Sequence, residues 1–571
     1  MSSGEKEEKR ISRRDFVRGA AVSAAAVAGA GILAGCKNET PAPTASTETQ
    51  ECPPCPTAAP CPPCADSWRP EKWDKETDVV VVGAGYAGLC AAIEAKAAGA
   101  EVLVLEKNDF PGGNGILCAG NTILGATHVQ NRVGIEDHEE WWYEDQMAWG
   151  EYRAVPELMR LYTQKGGELA LWLEQLGLVW RDQLRASDDA RVPRGHGPAE
   201  SPNYPGSKGI SQITVLLNEL ERLEAPILLQ HKMKRIYREP NGPVLGVEVE
   251  TEDGNINIKA RKAVVLGSGG FKSNVQMRTA WDPRLDADLG AGGLPFVETT
   301  GEGSMAAVNV GAGFTDMSYV CEFRVRWGTK TYQSWEPPTL TTVPGGAGIS
   351  AGDYHRLIMV KNDGQRYVNE AGEQSLCHHT FWQAFLNLKE KPRNVWAITD
   401  AEGAAELKWP EDEMRDPQPL AGRALYPGCV AVADSIQELA SQMGIDPVGL
   451  EATVNRYNAF VDAGEDGDFE KPQPLYSISK PPFFAAKMLM LCHDQMGGLR
   501  ANTKAQVLDR SEQIVAQGVS IDQEKVIPHL YAAGECVGGY VGAERGHGKI
   551  GVYMIWGRIA GQNAAQETRL S

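Results

Sequence analysis

Residues 78 to 88 read D-V-V-V-V-G-A-G-Y-A-G, and this stretch decides the fold. Its four consecutive valines, 79 to 82, predict a parallel strand that is buried on both faces. The glycines after them have the spacing G-x-G-x-x-G, and the Ala-rich run from 89 to 98 predicts a helix. A second apolar strand follows at 101 to 105. The order of strand, glycine turn, helix and strand predicts a dinucleotide-binding βαβ unit.

The residue types in this unit suit a pyrophosphate group. Glycines at 83, 85 and 88 permit a tight turn, a close approach of backbone to phosphate, and close packing of the helix on the strand. The N-terminus of the helix offers N–H groups to the same phosphates. Glu106 ends the second strand, where an acidic residue about 20 positions after the glycines binds the ribose hydroxyls of an adenosine.

Two further glycine-rich segments favour FAD over NAD as the dinucleotide. Residues 111 to 115, P-G-G-N-G, form a second glycine turn that can bring the backbone against a flavin. Residues 530 to 535, L-Y-A-A-G-E, are typical of the return strand of flavoproteins with two dinucleotide folds. We therefore predict that the chain binds FAD.

Length and charge limit what the chain can be. At 571 residues it is too long for one compact core, and its hydrophobic share of 42% is ordinary for a globular protein. Its formal net charge of −19 repels polyanions, so nucleic acid is excluded as a partner.

The first 36 residues predict an export signal. S-R-R-D-F-V at 12 to 17 is a twin-arginine pattern, and the Ala/Gly-rich stretch from 19 to 35 is too short for a comfortable membrane span. L-A-G-C at 33 to 36 has the form of a lipoprotein box, in which the cysteine becomes lipidated. We expect export by the twin-arginine route and attachment of lipidated Cys36 to the outer face of the cytoplasmic membrane, in the cell envelope.

Residues 37 to 73 predict a tether between this anchor and the folded part. They are rich in Pro, Thr, Ala and Glu, a composition that favours an extended chain. Cys52/Cys55 and Cys61/Cys64 form two C-P-P-C motifs, in which the prolines favour disulfides or free thiols over zinc or an iron–sulfur cluster. We predict no metal, and because the sequence has no C-x-x-C-H motif we expect no covalent c-type haem.

Several motifs occur in a fixed order from about residue 74 onward. They are V-V-V-V-G-A-G-Y-A-G-L at 79–89, P-G-G-N at 111–114, A-V-V-L-G-S-G-G-F at 263–271, T-G-E-G at 300–303, R-Y-V-N-E at 366–370, L-Y-A-A-G-E at 530–535 and G-A-E-R-G at 542–546. In this combination the sequence resembles the fumarate reductase/succinate dehydrogenase flavoprotein family. The exported soluble reductases and the related ketosteroid dehydrogenases are the most similar branches.

The resemblance implies an α/β fold: a Rossmann-like FAD-binding dinucleotide domain with a β-meander, plus an inserted α+β capping domain. We expect the FAD-binding domain at 74–317 and 488–571, and the capping domain at 318–487. Alternating segments at 244–250 and 256–258, separated by a hairpin turn, predict the meander from the sequence itself. The family's cap closes over the flavin, which excludes water during hydride transfer.

The resemblance also implies how FAD is held. Membrane-bound members attach FAD through a histidine just after the P-G-G turn, where this chain has Ile116 and Leu117, so we predict non-covalent FAD. The cofactor-binding residues that we expect are Gly83, Ala84, Gly85, Ala87, Gly88, Glu106, Lys107, Gly112, Gly113, Asn114, Gly120, Met233, Gly269, Glu302, Glu535 and Ile550.

Two residues match substrate ligands of the family. Arg545 lies in G-A-E-R-G-H-G at 542–548, where exported fumarate reductases carry an arginine that grips a substrate carboxylate with its planar guanidinium. His493 begins H-D-Q-M-G-G at 493–498 and matches the histidine of the family's H-x-x-M-G-G motif. A solvated or internally satisfied polar residue is the alternative for either one alone. Because both fall on family motifs, we favour substrate binding.

Two departures from the family argue against fumarate or succinate as the substrate. Gln374 aligns with the arginine that supplies the proton, and an amide cannot act as an acid. Phe323 aligns with a second histidine, so half of the dicarboxylate clamp is missing. The aromatic residues nearby either line a broader pocket or belong to the core of the cap. They are Tyr319, Phe323, Trp327, Tyr332 and Trp335.

The proton must then come from another residue of the cap. His378 and His379 lie a few residues beyond the lost arginine, and both can act as acids near neutral pH. Tyr354, His355 and Arg356 are further candidates on chemical grounds. The sequence does not choose among them.

Three functions are compatible with these residues. The first is a membrane-tethered reductase of the C=C bond of an unsaturated organic acid or enone, which serves as an anaerobic electron acceptor. Its electrons would come from a separate cytochrome, flavoprotein or quinol system. The second is a dehydrogenase that introduces a C=C bond, as ketosteroid dehydrogenases do with tyrosines; their Y-P-G signature is absent, although Tyr540 lies close. The third is a non-enzymatic FAD lipoprotein that relays electrons. Retention of Arg545 and His493 favours the first, whereas loss of the proton donor favours the third.

Overall fold

The computed structural model describes residues 68–116, 118–186, 190–200, 208–291, 299–317, 320–322, 326–327, 353–371, 384–407, 409–416, 419–420, 423–424, 428, 430–489, 491–512, 520–542 and 549–571. The predicted signal, both C-P-P-C pairs and most of the tether lie outside these residues. Within them, no helix is both long enough and apolar enough to cross a bilayer. The same residues contain no group of three or more His, Cys, Asp or Glu side chains that could hold a metal ion.

The strands and helices have the following bounds. The strands are β1 (Lys75–Val82), β2 (Val102–Leu105), β3 (Thr122–Ile123), β4 (Gly195–His196), β5 (Ile227–Leu228), β6 (Lys232–Arg238), β7 (Val244–Thr251), β8 (Gly254–Leu266), β9 (Gly290–Ala291), β10 (Phe314–Thr315), β11 (Val320–Glu322), β12 (Arg326–Trp327), β13 (Ile358–Val360), β14 (Val395–Thr399), β15 (Pro419–Leu420), β16 (Arg423–Ala424), β17 (Val430–Ala433), β18 (Phe483–Leu489), β19 (Leu491–Gln495), β20 (Gly498–Leu499), β21 (Gln506–Leu508) and β22 (Val526–Ala532). The helices are α1 (Tyr86–Ala97), α2 (His128–Arg132), α3 (Glu139–Trp149), α4 (Pro156–Gln164), α5 (Gly166–Gln175), α6 (Gly209–Arg222), α7 (Val275–Trp281), α8 (Glu302–Asn309), α9 (Ala401–Leu407), α10 (Glu411–Arg415), α11 (Ile436–Met443), α12 (Pro447–Ala463) and α13 (Lys549–Gln566).

The central sheet has the strand order β21-β22-β8-β1-β2-β5, and the strands from β22 to β5 run parallel to their neighbours. β1 lies inside this sheet, and Val79, Val80 and Val81 are fully buried, as the run of valines predicts. The predicted βαβ unit is confirmed, with α1 connecting the parallel strands β1 and β2. The carboxyl ends of both strands therefore meet at one edge of the sheet, where parallel α/β folds bind their ligands.

Strand β8 belongs to two parts of the sheet. Its first half pairs antiparallel with β7 across a two-residue hairpin, and its second half pairs in parallel with β1 and β22. Together with β6 it forms the predicted β-meander. The sequence pattern indicated a short strand at 256–258, whereas the structure has one strand of 13 residues. The strand continues because neither glycine nor proline interrupts residues 255–266.

The C-terminal helix α13 packs closely against α1. A Cβ atom at Gly557 or Gly561 would collide with the backbone of Ala87 or Ala91, respectively, so only glycine permits this approach. The two helices share one hydrophobic core with the central sheet. This packing fixes the N-terminus of α1 relative to the strands.

Helices α2 to α5 contact one another and form a helical layer, in which α4 and α5 also contact α13. A buried arginine holds part of this layer together. The Arg194 guanidinium donates hydrogen bonds to Asp137 at 2.7 Å and to Asp145 at 2.6 Å. His196 Nδ1 lies 2.7 Å from the Arg194 carbonyl oxygen, and its Nε2 lies 2.8 Å from Thr127 Oγ1. Burial lowers the pKa of His196 to about 4, so this imidazole is neutral and structural.

The capping domain is built on an antiparallel sheet of order β12-β18-β14-β13, in which β17 also pairs with β18. Helices α11 and α12 pack on it through a separate hydrophobic core. The chain passes towards the cap through β11 and returns through β19, and these two strands pair antiparallel. The two crossings therefore lie side by side. The boundary positions 317/318 and 487/488 stay predictions.

Candidate active site

The glycine turn after β1 leaves room for a phosphate group. Gly83 has a φ of +99°, and a Cβ atom at Gly88 would collide with the Gly83 carbonyl oxygen. Helix α1 starts at Tyr86, and its N-cap is Gly85. A Cβ atom at Gly85 would meet no atom within 4 Å, so open space adjoins the N–H groups of the first helical turn. This arrangement fits the pyrophosphate of FAD.

Glu106 stands beside this turn at the end of β2. Its Oε2 accepts a hydrogen bond from the backbone N–H of Ala84 at 2.9 Å, and its Oε1 accepts from the backbone N–H and the side-chain amide of Asn108 at 3.0 and 2.9 Å. Burial raises the pKa of Glu106, and these hydrogen bonds oppose the rise. The predicted ribose ligand is thus fixed next to the phosphate seat.

The second glycine turn faces the first. Gly112 has a φ of +111°, and its N–H donates to the Ala84 carbonyl oxygen at 2.8 Å. The turn continues as a short 3₁₀ helix, Gly113–Ile116. A Cβ atom at Gly113 would approach only the Cα of Gly85, at 3.6 Å. The two turns therefore border the same space, as a cofactor lying between them requires.

Three buried polar atoms indicate that this space takes a polar ligand. Asn114 Oδ1, Ser268 Oγ and Glu535 Oε1 have no hydrogen-bond partner in the part of the chain that the structure describes, although Lys272 Nζ lies 3.7 Å from Glu535 Oε1. Buried polar atoms in folded proteins are almost always paired. The three lie on three different predicted FAD-binding segments, so the residues present fit FAD.

Two lysines hold Glu302 at the start of α8. Glu302 Oε1 lies 3.4 Å from Lys107 Nζ and 3.2 Å from Lys232 Nζ. Burial acts to raise the pKa of Glu302, but the Thr300 hydroxyl and the lysine charges outweigh it and lower the pKa. Glu302 and Lys107 thus form a charged cluster, and their contact with the cofactor stays a prediction.

The remaining predicted cofactor residues lie in the same domain. Gly120 and Gly269 have φ values of +72° and +73°, which favour glycine. Met233 is buried in the meander, Ala87 is buried in α1, and Ile550 is half-buried in the first turn of α13. The contacts of these residues with the cofactor stay predictions.

Most of the predicted catalytic residues are not placed by the structure. Arg545, His378 and His379 lie outside the described residues, as do Gln374 and Phe323. For His493 the structure gives the backbone in β19 and for Trp327 the backbone in β12. The aromatic residues Tyr319, Tyr332 and Trp335 are likewise outside the described residues.

Residues 539–542, which precede Arg545 in the sequence, are held by contacts with the helical layer. The Val155 N–H donates to the Gly539 carbonyl oxygen at 2.9 Å. Gly542 has a φ of +70°, and a Cβ atom there would collide with the Gly150 carbonyl oxygen. The helical layer therefore braces residues 539–542, immediately before the predicted substrate arginine.

Two of the alternative proton donors make contacts within the cap. His355 Nδ1 lies 2.8 Å from the Pro474 carbonyl oxygen. Arg356 forms an ion pair with Glu406, and its guanidinium carbon lies 3.4 Å from the ring centroid of Tyr476. These contacts give both side chains a structural role.

Tyr540 is a poor candidate for a catalytic tyrosine. It is buried and stacks on Trp556, with ring centroids 4.8 Å apart and an interplanar angle of 15°. Its hydroxyl has no hydrogen-bond partner among the described residues, and burial raises its pKa well above the ordinary value. A tyrosine in this environment resists ionisation, which weakens the dehydrogenase alternative.

The structure adds three residues that sequence reasoning missed. Ser268 is one of the unpaired polar groups described above. Lys272 is buried with its Nζ 3.7 Å from Glu535 Oε1. Gln495 is buried and links separate segments through its amide. Ser268 lies in the motif at 263–271 and Gln495 in the motif at 493–498. The sequence does not show which distant residues their side chains face, and these contacts define their roles.

Comparison with known proteins agrees with this geometry. The model of the FAD binding domain family matches residues 78–550. A urocanate reductase from Eggerthella lenta is 30% identical over 504 residues, which cover 87% of this chain and 76% of the relative. A digoxin reductase from the same species is 28% identical over 595 residues and covers 98% and 97%. The solved structure of the open conformation of a flavocytochrome c3 fumarate reductase is similar, with a TM-score of 0.70, 28% identity and coverage of 86% and 79%.

The chain belongs to the FAD binding domain family, among the flavoproteins related to fumarate reductase and succinate dehydrogenase. It is an FAD-dependent oxidoreductase that acts on CH–CH or C=C bonds. Its relatives include flavin-dependent reductases of unsaturated acids such as urocanate and fumarate.

The open space at Gly85 gives a test of the cofactor site. In Gly85→Ala the added methyl meets no protein atom, so we expect an unchanged melting temperature for the apoprotein. The same methyl enters the predicted phosphate seat, so FAD affinity should fall at least about 100-fold, the loss of two or more hydrogen bonds. Equilibrium FAD fluorescence on apoprotein measures this. Gly197→Ala is the matched control, because its Cβ would meet only Arg181 atoms at 3.8 Å or more. Equal FAD affinity in both variants would contradict the assignment.

Proposed function

We propose that this protein is an extracytoplasmic reductase that transfers hydride from reduced FAD to the C=C bond of an unsaturated organic acid or enone other than fumarate. One observation carries the proposal: the chain keeps the Arg545 motif while Gln374 and Phe323 occupy the positions that complete a fumarate site in the family. One carboxylate can still be gripped, but a second one has lost its partner. The physiological role would be the disposal of respiratory electrons under anaerobic conditions.

The substrate should carry one carboxylate or carbonyl group, a conjugated C=C bond and a bulky or aromatic tail. Phe323 in place of a histidine replaces a hydrogen-bonding group with an apolar face. An apolar wall favours a tail over a second anion, because burying an unpaired carboxylate is costly. Relatives named for urocanate and digoxin show that similar chains act on substrates larger than fumarate, beside relatives named for fumarate and acrylate.

Each retained residue has a role in this reaction. Bound FAD supplies the hydride chemistry. Arg545 would grip the carboxylate through two charge-assisted hydrogen bonds and so orient the C=C bond. His493 would donate a further hydrogen bond to the same end of the substrate. Because Gln374 has no acidic proton, we assign the proton transfer to His378 or His379, and the cap would exclude water while it occurs.

Electrons must reach FAD from another protein or carrier. The sequence contains no C-x-x-C-H haem motif and no second dinucleotide fingerprint for a nicotinamide. The similar fumarate reductase of known structure is a flavocytochrome, which combines flavin and haem in one protein. We propose that a separate cytochrome, flavoprotein or quinol system donates electrons to this chain.

The N-terminal sequence supports a position outside the cytoplasm. We propose export by the twin-arginine route and a lipid anchor at Cys36, with FAD taken up before export. In cells that produce the full chain, we expect the protein in the membrane fraction, and the Cys36→Ala variant released from it by a mild salt wash. Detection by immunoblot of both fractions measures the distribution. Equal membrane association of the two variants would rule out the lipid anchor.

Anaerobic re-oxidation of the dithionite-reduced, FAD-loaded protein tests the reaction. Flavin absorbance is followed after mixing with fumarate, urocanate, cinnamate-type acids or enone steroids. We expect rapid re-oxidation by at least one bulky or aromatic enoate or enone and slow re-oxidation by fumarate. Re-oxidation by an artificial dye or quinone, with no response to any enoate or enone, would reject the proposal and favour the electron relay or the dehydrogenase.

A further inference from the structure

Gln495 connects three separate segments through one buried amide. Its side chain is 3% exposed. Its Nε2 donates hydrogen bonds to the carbonyl oxygens of Gly497 at 3.0 Å and Glu535 at 3.1 Å, and its Oε1 accepts a hydrogen bond from the N–H of Phe271. Every one of these contacts is to backbone, so the side chain fixes the path of the chain rather than another side chain.

Two of these segments belong to the FAD site. Phe271 follows Gly269 and Gly270 in the glycine loop after β8, and Glu535 ends the return segment L-Y-A-A-G-E. A Cβ atom at Gly270 would collide with Gln495 Oε1 and lie 2.9 Å from the Glu535 carboxyl carbon. The amide therefore sits in the narrow gap between the two cofactor segments.

The third segment is β19, which crosses between the two domains. Gln495 is the last residue of this strand and pairs with Val320 of β11, the other crossing. His493 lies two residues earlier on the same strand. A fixed position of Gln495 thus fixes the crossing strand, and with it the backbone of the predicted substrate histidine, relative to the FAD site.

We propose that Gln495 is a positioning residue that locks the crossing strand β19 onto the two FAD-binding segments at 269–271 and 534–535. The Phe271 N–H requires a hydrogen-bond acceptor, and the Gly497 and Glu535 carbonyl oxygens together require a donor with two hydrogens. A side-chain amide of the length of glutamine supplies both. Loss of the lock lets the glycine loop and the return segment separate, so the FAD site loosens. The FAD measurements below do not depend on the proposed substrate.

Gln495→Glu and Gln495→Met separate this role from a general packing role. The introduced carboxylate faces the Gly497 and Glu535 carbonyl oxygens, which are acceptors, so only its protonated form can restore a donated hydrogen bond. Its pKa in the folded protein is therefore raised above the ordinary value of about 4.3. The stabilisation it gives is present at low pH and is lost as pH rises through the raised pKa. Methionine has a similar length, makes none of these hydrogen bonds and does not titrate.

We expect the FAD dissociation constant of Gln495→Met to be about 10- to 100-fold above wild type at every pH, because several buried hydrogen bonds are lost. Gln495→Glu should lie only about 2- to 10-fold above wild type at pH 5, because a protonated carboxyl donates one hydrogen bond where the amide donates two, and should match Gln495→Met at pH 8. Fluorescence of released FAD measures both. The nearby titratable groups, Glu535, Lys272 and Cys492, are present in all three proteins, so wild type corrects for them.

Three results would overturn the proposal. They are wild-type FAD affinity in Gln495→Met, a pH profile of Gln495→Glu that parallels wild type, and FAD binding by Gln495→Glu at pH 5 that is no tighter than binding by Gln495→Met, although a protonated carboxyl can restore the accepted and one donated hydrogen bond. The flavin midpoint potential provides a second readout. Compared with wild type at the same pH, it should shift in Gln495→Met and in Gln495→Glu at pH 8, and shift less in Gln495→Glu at pH 5.

Discussion

Arg545→Ala should lower kcat/KM for the unsaturated acceptor by about 100- to 10,000-fold while FAD stays bound. A guanidinium that grips a carboxylate makes two charge-assisted hydrogen bonds, each worth about 1.5–3 kcal/mol, and about 1.4 kcal/mol corresponds to a factor of ten in rate. Arg545→Lys should recover only part of this loss, because an ammonium keeps the charge but lacks the planar pair of donors. Anaerobic stopped-flow re-oxidation of the reduced flavin measures all three proteins.

Arg456 provides the matched control for Arg545. It lies on the cap, is 63% exposed and forms an ion pair with Asp468. Arg456→Ala and Arg456→Lys should have wild-type kcat/KM, because the pair is a solvated surface contact. If Arg545→Ala keeps kcat/KM within about threefold of wild type, with FAD bound, Arg545 does not grip the substrate. The electron relay would then become the better account, because a relay needs no substrate ligand.

The FAD-binding half of the fold could be predicted because its signals are local. The FAD-binding signals all fall within 29 residues, 78 to 106: the four valines of β1, the glycine spacing and Glu106. Each of them indicates the structure at its own position in the chain. The return segment L-Y-A-A-G-E begins in β22, where residues 530–532 pair in parallel with β8. The length of β8 was underestimated, because a strand that passes from a meander into a central sheet changes its burial pattern midway.

The rest of the site could not be predicted because it depends on contacts between distant segments. Gln495 binds Phe271 and Glu535, at sequence separations of 224 and 40. Nothing in the local pattern shows that an amide in a strand will bind a backbone N–H and a backbone carbonyl from two distant parts of the chain. The cap aromatics present the same difficulty, since an apolar side chain has the same sequence pattern in a core and in a pocket wall.

The R-Y-V-N-E motif at 366–370 is part of a buried ionic cluster. The Arg366 guanidinium donates to Glu370 at 2.9 and 2.7 Å and to Asp466 at 3.0 and 2.9 Å. Lys471 Nζ lies 3.6 Å from Glu370 Oε2, and burial lowers the pKa of Lys471 to about 8. The cluster joins residues 366–370, which precede Gln374 and His378, to the loop after α12.

Arg366→Met should therefore reduce the free energy of unfolding of the cap by about 3–5 kcal/mol, because it leaves two buried carboxylates with Lys471 as their remaining cation nearby. Urea unfolding followed by tryptophan fluorescence, to which Trp396 and Trp409 buried in the cap contribute, measures the change. Arg456→Met is the control: its partner Asp468 lies on the same loop as Asp466, but the pair is exposed, so no measurable change is expected. FAD affinity should be the same in both variants, since the cluster lies in the cap. Equal stability of Arg366→Met and Arg456→Met would contradict this prediction. It would mean that the buried cluster stabilises the cap no more than apolar packing does, as for some buried ion pairs.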